Sequence, residues 1–203
     1  MYENFPMAYD PRQVYQPEAD TSLLLETALQ EVKPGDRVLE VGTGSGLIAA
    51  EIARITRVVA SDINPHAVIA AHDAGVAVVR TDLFAGIRGP FDLVLFNPPY
   101  LPTRPDERMD DWLEYALDGG ENGRAVIAQV AAEAGHVLAP GGRILLLISS
   151  LTGRSEVSDL FTRHGYSVEV VAQQVVEDEV LYVLIMRVSL TTPAPLTGAS
   201  GER

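Results

Sequence analysis

The chain has 203 residues, of which 47% are hydrophobic and 21% charged, and this predicts one globular domain with a sizeable core. It contains no cysteine, which excludes disulfides, thiolate nucleophiles and cysteine-based zinc sites, and its four histidines show no paired ligand spacing, so no metal site is expected. No apolar run reaches membrane-spanning length, and the N-terminus lacks a signal-peptide pattern, so we expect a cytoplasmic protein without a membrane partner.

The charge balance is acidic, with 15 basic and 28 acidic side chains and a net charge of −13. Nucleic-acid binding depends on phosphate neutralisation by lysine and arginine, so this balance argues against a nucleic-acid partner unless basic groups cluster. Three arginines lie close in sequence to the candidate site described below and could attract a nucleic acid locally: Arg104, Arg108 and Arg124. A salt-adapted host is a second explanation of the acidity.

Short apolar runs alternate with helical patterns from residue 15 onward, which predicts a parallel sheet covered on both faces. Asp20 or Thr21 is the predicted cap of the first helix. The predicted elements are, in chain order, a helix within 15–32, strand Arg37–Val41, helix Leu47–Arg54, strand Val58–Ala60, helix Pro65–Asp73, strand Val76–Val79, strand Phe91–Phe96, helix Asn122–Leu138, strand Arg143–Ser149 and helix Ser155–Arg163.

Two long apolar segments close the folded part of the chain. Tyr166–Val176 and Glu179–Val188 are separated by only two acidic residues, which predicts an antiparallel hairpin added to the sheet. Residues 190–203 are dominated by Thr, Pro, Gly, Ala and Ser, a composition typical of a disordered tail. The chain is therefore predicted to form a single α/β domain over residues 1–189, with a seven-stranded, mostly parallel sheet and helices on both faces.

A glycine-rich loop follows the first predicted strand. Glycine lets the backbone approach a ligand closely, and ligands of open α/β sheets bind beyond the carboxyl ends of the strands. Acidic residues at the ends of the next two strands are placed to bind ribose hydroxyls and an adenine amino group, with an apolar neighbour for the ring. The candidate cofactor-binding residues are Glu40, Gly42, Thr43, Gly44, Gly46, Asp62, Ile63, Asp82 and Leu83.

Two cofactors compete for this loop. A dinucleotide site requires glycines spaced as G-x-G-x-x-G, with the pyrophosphate at the helix N-terminus. This chain has G-x-G-x-G preceded by Glu40, whose carboxylate repels a pyrophosphate but suits the α-amino group of a methionine-type cofactor. The pattern therefore favours S-adenosylmethionine over NAD.

The tetrapeptide Asn97-Pro98-Pro99-Tyr100 directly follows the apolar strand Phe91–Phe96. Asn97 offers an amide donor and an acceptor, and the prolines stiffen the backbone and direct the carbonyls of Asn97 and Pro98 outward. Tyr100 supplies a flat face for stacking. These four residues are the predicted catalytic group, a grip for a planar –NH2, although a surface turn is the alternative interpretation.

Glu40-x-Gly42-x-Gly44-x-Gly46 together with Asn97–Tyr100 resembles the class I S-adenosylmethionine-dependent methyltransferases that act on amino or amide nitrogen. More narrowly, the chain is similar to the HemK/PrmC-type protein glutamine methyltransferases. Three further segments carry this similarity over nearly the whole folded part: Tyr15–Thr21, Asp82–Phe84 and Leu117–Arg124. The resemblance implies a Rossmann-like methyltransferase fold and a contact of Thr21 and Asn97 with the cofactor.

The resemblance also implies a reaction and partners. Family members methylate the glutamine of the Gly-Gly-Gln tripeptide in class I translation termination factors. Bacterial members add an N-terminal helical domain, for which the residues before Gly42 leave no room, so we expect the short archaeal and eukaryotic branch. That branch works with a small zinc-binding activator subunit paired to an edge strand. Val76–Val79 is the candidate edge here, although an apolar run of this kind is equally typical of a buried parallel strand.

In the mechanism that this implies, the Asn97 side-chain oxygen and the Pro98 carbonyl accept from the substrate –NH2 while Tyr100 packs on the amide. The loop Leu101–Glu114 would form the peptide-binding rim, with Trp112 as its anchor. Two alternatives stay open at this point. The same grip fits an exocyclic amine of DNA or RNA, as in an N6-adenine methyltransferase, and a cofactor-binding scaffold without catalysis would show the same glycine loop.

Overall fold

The computed structural model of the chain describes residues 9–104, 106 and 111–188, which form one sheet in the order β3-β2-β1-β4-β5-β7-β6. The first five strands are parallel, and β7 is antiparallel to both β5 and β6. The predicted seven-stranded sheet and its C-terminal hairpin are therefore confirmed. The strands are β1 (Arg37–Val41), β2 (Arg57–Asp62), β3 (Val78–Arg80), β4 (Phe91–Phe96), β5 (Leu138–Ser149), β6 (Tyr166–Val175) and β7 (Val180–Val188).

Helices cover both faces of the sheet, as predicted. Alternate residues of a strand point to opposite faces, and in β4 Leu93 and Leu95 pack with α1 and α2, whereas Val94 and Phe96 pack with α5 and α6. The core therefore lies in two layers, one on each side of the sheet. The helices are α1 (Ala19–Glu31), α2 (Leu47–Ile52), α3 (Pro65–Asp73), α4 (Trp112–Leu117), α5 (Ala125–Glu133) and α6 (Arg154–Arg163).

Two predicted boundaries in the C-terminal half were wrong. The helix expected over Asn122–Leu138 is α5 followed by a 3-10 turn, and Leu138 already belongs to β5. The strand expected at Arg143–Ser149 starts five residues earlier, because a register shift opposite β4 absorbs the Pro-Gly-Gly sequence as an irregularity within the strand. Gly141 takes a positive φ of 75° there, which an L side chain rarely adopts. A proline–glycine cluster is typical of a turn, but here pairing with β4 keeps Pro140–Gly142 within the strand as an irregularity.

The start of α1 also differs from the prediction. The helix begins at Ala19, and Glu18 at the cap position makes no side-chain hydrogen bond to it. Asp20, predicted as a cap, uses its carboxylate in a long-range contact described below. A short helix, α4, lies within the segment predicted to be a loop; its N-cap Asp111 accepts from the Glu114 N–H at 2.8 Å.

β3 is an edge strand, so the prediction of an edge is confirmed. The alternative of a buried parallel strand is wrong, because no residue of β3 is buried. β3 is shorter than Val76–Val79, because Val76 packs under α3 instead of pairing, while Val79 is 42% exposed. The predicted tail 190–203 and Arg108 lie outside the described residues. Within the described ranges, no helix has the length and apolar character needed to cross a membrane.

Candidate active site

A cavity of about 730 Å³ opens at the carboxyl ends of the parallel strands. Its floor is the switch point of the sheet, where β1 lies between β2 and β4 and the chain connections diverge. The loops after β1, β2, β3 and β4 line it, and α4 and the segment before α1 form its outer wall. A cavity of this size and position is typical of a small-molecule site.

The loop after β1 is held from below by Glu40. Its Oε2 accepts hydrogen bonds from Thr43 Oγ1 at 2.5 Å and from the Ala49 N–H at 3.1 Å, so one carboxylate fixes both the glycine loop and the start of α2. Burial raises the pKa of Glu40 to about 8, although the bonds from Thr43 and Ala49 oppose that shift. Gly42 takes a φ of 64°, and a Cβ there would lie 3.2 Å from the ring of Phe96.

Asp62 at the end of β2 ties the glycine loop to the second loop. One carboxylate oxygen accepts from the Gly44 N–H at 2.9 Å and the other from the Asn64 N–H at 2.9 Å. Burial raises the pKa of Asp62, while these backbone donors act in the opposite direction. The two loops that surround the predicted ribose position are therefore fixed to each other before any ligand binds.

Asn97 at the end of β4 is oriented by Asp20 of α1. Asp20 is only 3% exposed, and its Oδ2 accepts from Asn97 Nδ2 at 3.0 Å and from the Tyr15 hydroxyl at 3.0 Å. An ionised carboxylate only accepts hydrogen bonds, so it must face the NH2 end of the Asn97 amide. The Asn97 Oδ1 therefore points away from Asp20, and it is buried with no hydrogen-bond partner among the residues that the structure describes.

The rest of the tetrapeptide offers a second acceptor and a neutral ring. Pro98 is buried, and no hydrogen bond from the described part of the chain reaches its carbonyl. Burial, followed by the charge of Asp20, raises the pKa of Tyr100 above its ordinary value, so the ring remains a neutral phenol. Two acceptors without donors beside a flat ring form a site that can receive both hydrogens of a planar –NH2 group.

The glycine-rich segment after α4 fixes the exit of this tetrapeptide. The Leu101 N–H donates to the Leu117 carbonyl at 3.1 Å, and the Gly119 N–H donates back to the Leu101 carbonyl at 2.9 Å. At Gly123 a Cβ would lie 2.3 Å from the Tyr100 carbonyl oxygen, so a larger residue would displace the backbone at Tyr100. This close approach explains why glycine stands at that position.

The lining of the cavity is acidic: among the described residues, six carboxyl side chains and one guanidinium, that of Arg12, line it. Asp20, Glu40 and Asp62 are buried at its edge, and within the part of the chain that the structure describes none of them pairs with a basic side chain. They bond only to neutral donors. Such an arrangement attracts a small cationic ligand and repels a polyphosphate.

Comparison with known proteins identifies the family. The family described as "Methyltransferase small domain" matches residues 16–110. A candidate protein N5-glutamine methyltransferase of Methanocaldococcus jannaschii is 40% identical over 180 residues, which cover 85% of this chain and 90% of that protein. The chain belongs to the HemK-type class I methyltransferases.

Other relatives agree. Methyltransferase HEMK2 of Mus musculus is 34% identical over 171 residues, covering 76% of this chain and 80% of that protein. The release factor glutamine methyltransferase of Deinococcus radiodurans is 36% identical over 171 residues, and the aligned part covers only 60% of its length. Among known structures, the E. cuniculi Mtq2–Trm112 complex, described as responsible for methylation of the eRF1 translation termination factor, aligns with a TM-score of 0.74 and 27% identity over 87% of this chain and 99% of that chain.

One further structure supports the fold alone. The T. thermophilus 16S rRNA methyltransferase RsmC, in complex with AdoMet and guanosine, aligns with a TM-score of 0.61 at 19% identity, over 89% of this chain and 41% of RsmC. The seven-stranded fold is therefore shared by HemK-type and RNA-directed methyltransferases, and it does not choose between their substrates.

In this HemK-type enzyme the predicted site residues come together in one place, with one exception. Gly46 does not line the cavity; a Cβ there would lie 2.7 Å from Ala71 Cα, so this glycine allows close packing of α2 on α3. The predicted residues that do line the cavity are Thr21, Glu40, Gly42, Thr43, Gly44, Asp62, Ile63, Asp82, Leu83, Asn97, Pro98, Pro99 and Tyr100.

Trp112, predicted as the rim anchor, and Arg124, one of the predicted charge residues, both have partners in the structure. Trp112 lines the cavity, its N–H donates to the Gln13 side chain, and its ring lies 5.6 Å from the Arg80 guanidinium. Arg124 donates to the carbonyl of Thr152, which lies shortly after β5. The sequence-based reasoning missed Asp20 as the partner of Asn97, because an acidic residue in a first helical turn reads as a cap and the contact joins residues 77 positions apart.

Proposed function

We propose that the chain transfers a methyl group from S-adenosylmethionine to the side-chain amide nitrogen of the glutamine in the Gly-Gly-Gln tripeptide of a class I translation termination factor. The observation that carries this proposal is the buried, unpartnered Oδ1 of Asn97, held in that orientation by Asp20. A buried acceptor without a donor is costly to a protein unless a ligand satisfies it. A substrate –NH2 at this position supplies the missing donor.

The chain's own residues address the main chemical difficulty, which is that an amide nitrogen is a poor nucleophile. The cofactor supplies an electrophilic methyl group when bound. Asn97 Oδ1 and the Pro98 carbonyl would accept the two amide hydrogens, and they would thereby meet the positive charge that develops on the nitrogen when it takes the methyl group from sulfur. Tyr100 keeps the amide in plane, and orientation of this kind contributes up to about 7–11 kcal/mol in model reactions. The methylated nitrogen then loses one proton to water.

The acidic cavity fits this cofactor. S-adenosylmethionine carries a sulfonium and an ammonium group against one carboxylate, whereas a dinucleotide would add two phosphates beside Glu40 and Asp62. Glu40 and the glycine loop would hold the methionine part. Asp62 would hold the ribose, and Asp82 with Leu83 the adenine. Leu83 adopts a φ of 42°, and strained backbone at a non-glycine residue is common where a ligand is gripped.

The substrate is proposed from the relatives. The Deinococcus protein is named for release factor glutamine methylation, and the Mtq2–Trm112 complex for methylation of eRF1. The net charge of −13 argues against a nucleic-acid acceptor. A protein acceptor also suits the outer wall of the cavity, where α4 and Tyr115 offer apolar and aromatic surface to a peptide.

The direct test measures transfer of labelled methyl groups from S-adenosylmethionine to a purified archaeal-type release factor, with total RNA and DNA as parallel acceptors. We expect label on the release factor, lost when its Gly-Gly-Gln glutamine is replaced. Asn97→Ala should reduce transfer by at least about a hundredfold, as for the loss of an oriented transition-state partner. Gln30→Ala, which removes an exposed amide side chain outside the cavity, is the matched control. Label on nucleic acid alone would overturn the proposal.

We propose further that β3 receives a small zinc-binding activator subunit, as the Mtq2–Trm112 complex has a partner chain. Val79 is aligned with Ser61, and Val59 lies two residues from Ser61, so both valines share one face of the sheet. They are 42% and 38% exposed on the face that α5 and α6 cover only over the central strands. An edge with an uncovered apolar face is a surface for a partner.

This interface predicts the effect of a charge. Val79→Lys should weaken binding of a purified Trm112-type subunit by at least about tenfold, since it buries a charge in an apolar contact. Val175→Lys is the matched control, because Val175 is 76% exposed on β6 at the opposite edge. Affinity is measured by calorimetry. Equal losses from the two variants would contradict the assignment of the interface to β3.

A further inference from the structure

A 3-10 helix at Pro11–Gln13 lies between α3 and α4 and contacts both. It is fixed to the start of α3 by two hydrogen bonds. Asn64 Nδ2 donates to the Gln13 carbonyl at 2.6 Å, and the Asp10 N–H donates to His66 Nδ1 at 3.1 Å. Asn64 is itself bonded to Asp62, the residue proposed to hold the cofactor ribose. The segment before α1 is therefore attached to the cofactor side of the cavity.

The same short helix is attached to the substrate side. The Trp112 N–H, at the first position of α4, donates to Gln13 Oε1 at 2.9 Å, a contact between residues 99 positions apart. The first N–H groups of a helix have no partner within it, and Gln13 supplies one from outside. Gln13 thus uses its backbone carbonyl toward Asn64 and its side chain toward Trp112.

A second connection runs in parallel. Arg80, at the end of β3, places its guanidinium 5.6 Å from the centroid of the Trp112 ring, and its Nε donates to the Ile63 carbonyl at 3.1 Å. Ile63 and Asn64 are the two residues after Asp62. Ile63 is thus bonded to Arg80 and Asn64 to Gln13. Both Arg80 and Gln13 also contact Trp112.

From this juxtaposition we infer that Gln13 and Arg80 are positioning residues that couple cofactor binding at residues 62–64 to the placement of Trp112 and α4. The inference rests on the proposed function for the identity of the cofactor and of the peptide substrate. α4 has only six residues, too few to be stable alone, so its position depends on such external contacts. A ligand that fixes Ile63 and Asn64 also fixes Gln13 and Arg80, and lowers the entropy cost of ordering the substrate wall.

Trp112 is the single tryptophan of the chain, so its fluorescence reports on α4 alone. The test is acrylamide quenching of this emission with and without S-adenosylhomocysteine, with binding of the same ligand followed by calorimetry. In the wild type we expect the ligand to shield Trp112. The double variant Gln13→Ala/Arg80→Ala should bind the ligand without this shielding. Two single variants that keep Arg80 are also compared. Gln13→Glu, whose carboxylate still accepts from the Trp112 N–H, should show more ligand-induced shielding of Trp112 than Gln13→Ala.

Gln30→Ala/Arg57→Ala is the matched control, since both residues are exposed and outside the cavity. Equal shielding in Gln13→Ala/Arg80→Ala and in the wild type would overturn the inference, and so would ligand binding without shielding in the wild type. Absence of any calorimetric binding to the wild type would overturn the proposed function together with it. The two failures are therefore distinguishable.

A second readout measures the coupling itself. S-adenosylhomocysteine should tighten binding of the release factor to the wild type by about three- to tenfold, within the usual range for coupled sites. In Gln13→Ala/Arg80→Ala this enhancement should fall below about twofold, while circular dichroism verifies that the fold is kept. A purely structural role would lower the affinity for release factor equally with and without the ligand, and that result would contradict the inference.

Discussion

The two ends of the parallel sheet bury charged side chains in opposite ways. At the amino end Arg143 is 7% exposed and donates to the Asp36 carboxylate at 2.8 Å, to the Asp92 carbonyl at 3.1 Å and to the Glu31 carbonyl. At the carboxyl end Asp20, Glu40 and Asp62 are buried beside the cavity with neutral donors only, among the residues that the structure describes. One end balances its charge within the chain, and the other leaves a negative cavity.

This difference separates stability from function along the strand axis. A buried cation with carboxylate and carbonyl partners contributes to holding α1, the α1–β1 turn and β4 together, and the Asp36 carboxylate balances its charge at 2.8 Å. Buried carboxylates without a cation cost free energy in the unliganded protein, and a cationic ligand recovers that cost on binding. Substitutions at the amino end should therefore act on unfolding, and substitutions at the carboxyl end on binding and transfer.

The largest expected effect is on stability. Arg143→Met leaves the Asp36 carboxylate, whose side chain is 12% exposed, without its cation. Removal of one member of a buried ion pair costs about 3–5 kcal/mol of unfolding free energy. The measurement is urea unfolding followed by circular dichroism. The affinity for S-adenosylmethionine at a temperature where the variant is folded should equal that of the wild type.

Arg37→Met is the control for Arg143→Met, because Arg37 pairs with Asp92 at the same end of the sheet but at the surface. Exposed ion pairs contribute little to the free energy of unfolding, so we expect Arg37→Met to be about as stable as the wild type. If Arg37→Met destabilised the protein as much as Arg143→Met, the special role of the buried network would be lost. If Arg143→Met weakened cofactor binding in the folded protein, the separation of the two ends would be wrong.

The second prediction concerns the orientation of Asn97. Asp20→Asn replaces a group that only accepts by one that also donates, so the Asn97 amide is no longer forced to turn its Oδ1 toward the substrate. A hydrogen bond to a charged group is worth about 1.5–3 kcal/mol, so we expect kcat to fall by about ten- to a hundredfold. Unfolding should change less than in Arg143→Met. Unchanged kcat would show that Asp20 does not orient the catalytic amide.

The same two ends differ in how far the sequence predicted them. Glu40, Asp62, Asp82 and Asn97 lie at or just after the ends of successive apolar strands. In a parallel sheet strand ends meet at one edge, so local patterns were enough to assemble the carboxyl end. Arg143 gave no such signal, because its partners come from α1, the α1–β1 turn and β4. The contact of Asp20 with Asn97 was hidden for the same reason, since it depends on how α1 packs rather than on any spacing.

Local chemistry also misled the prediction of secondary structure. Pro140 and the glycines after it read as a turn, but pairing with β4 carries β5 through them. α4 was missed because six residues between loops show too little periodicity to be recognised, and tertiary contacts such as that of Gln13 with Trp112 stabilise it instead. The elements that could be predicted are those whose apolar residues follow the strand or the helix period over their whole length.

The smallest expected effect is a pH dependence at the carboxyl end. Burial raises the pKa of Glu40 from 4.5 to about 8. In the unliganded protein the stability that comes from protonated Glu40 is therefore fully present below about pH 4.5, and it is lost as the pH rises through about 8. A cationic cofactor favours the ionised carboxylate and must displace its proton below that pKa. The affinity for S-adenosylmethionine should therefore rise with pH, by up to about tenfold over the unit below the pKa, and then level off.

Glu40→Gln tests whether that proton belongs to Glu40. The amide keeps an acceptor for Thr43 and Ala49 but does not titrate. The affinity of the variant for S-adenosylmethionine should therefore be nearly independent of pH, and at high pH it should be lower than that of the wild type. Calorimetry in buffers of different ionisation enthalpy counts the protons released on binding. A variant that still released a proton would move the titration to Asp62, whose pKa burial also raises, and the negative charge that receives the cofactor would then lie at the end of β2 rather than of β1.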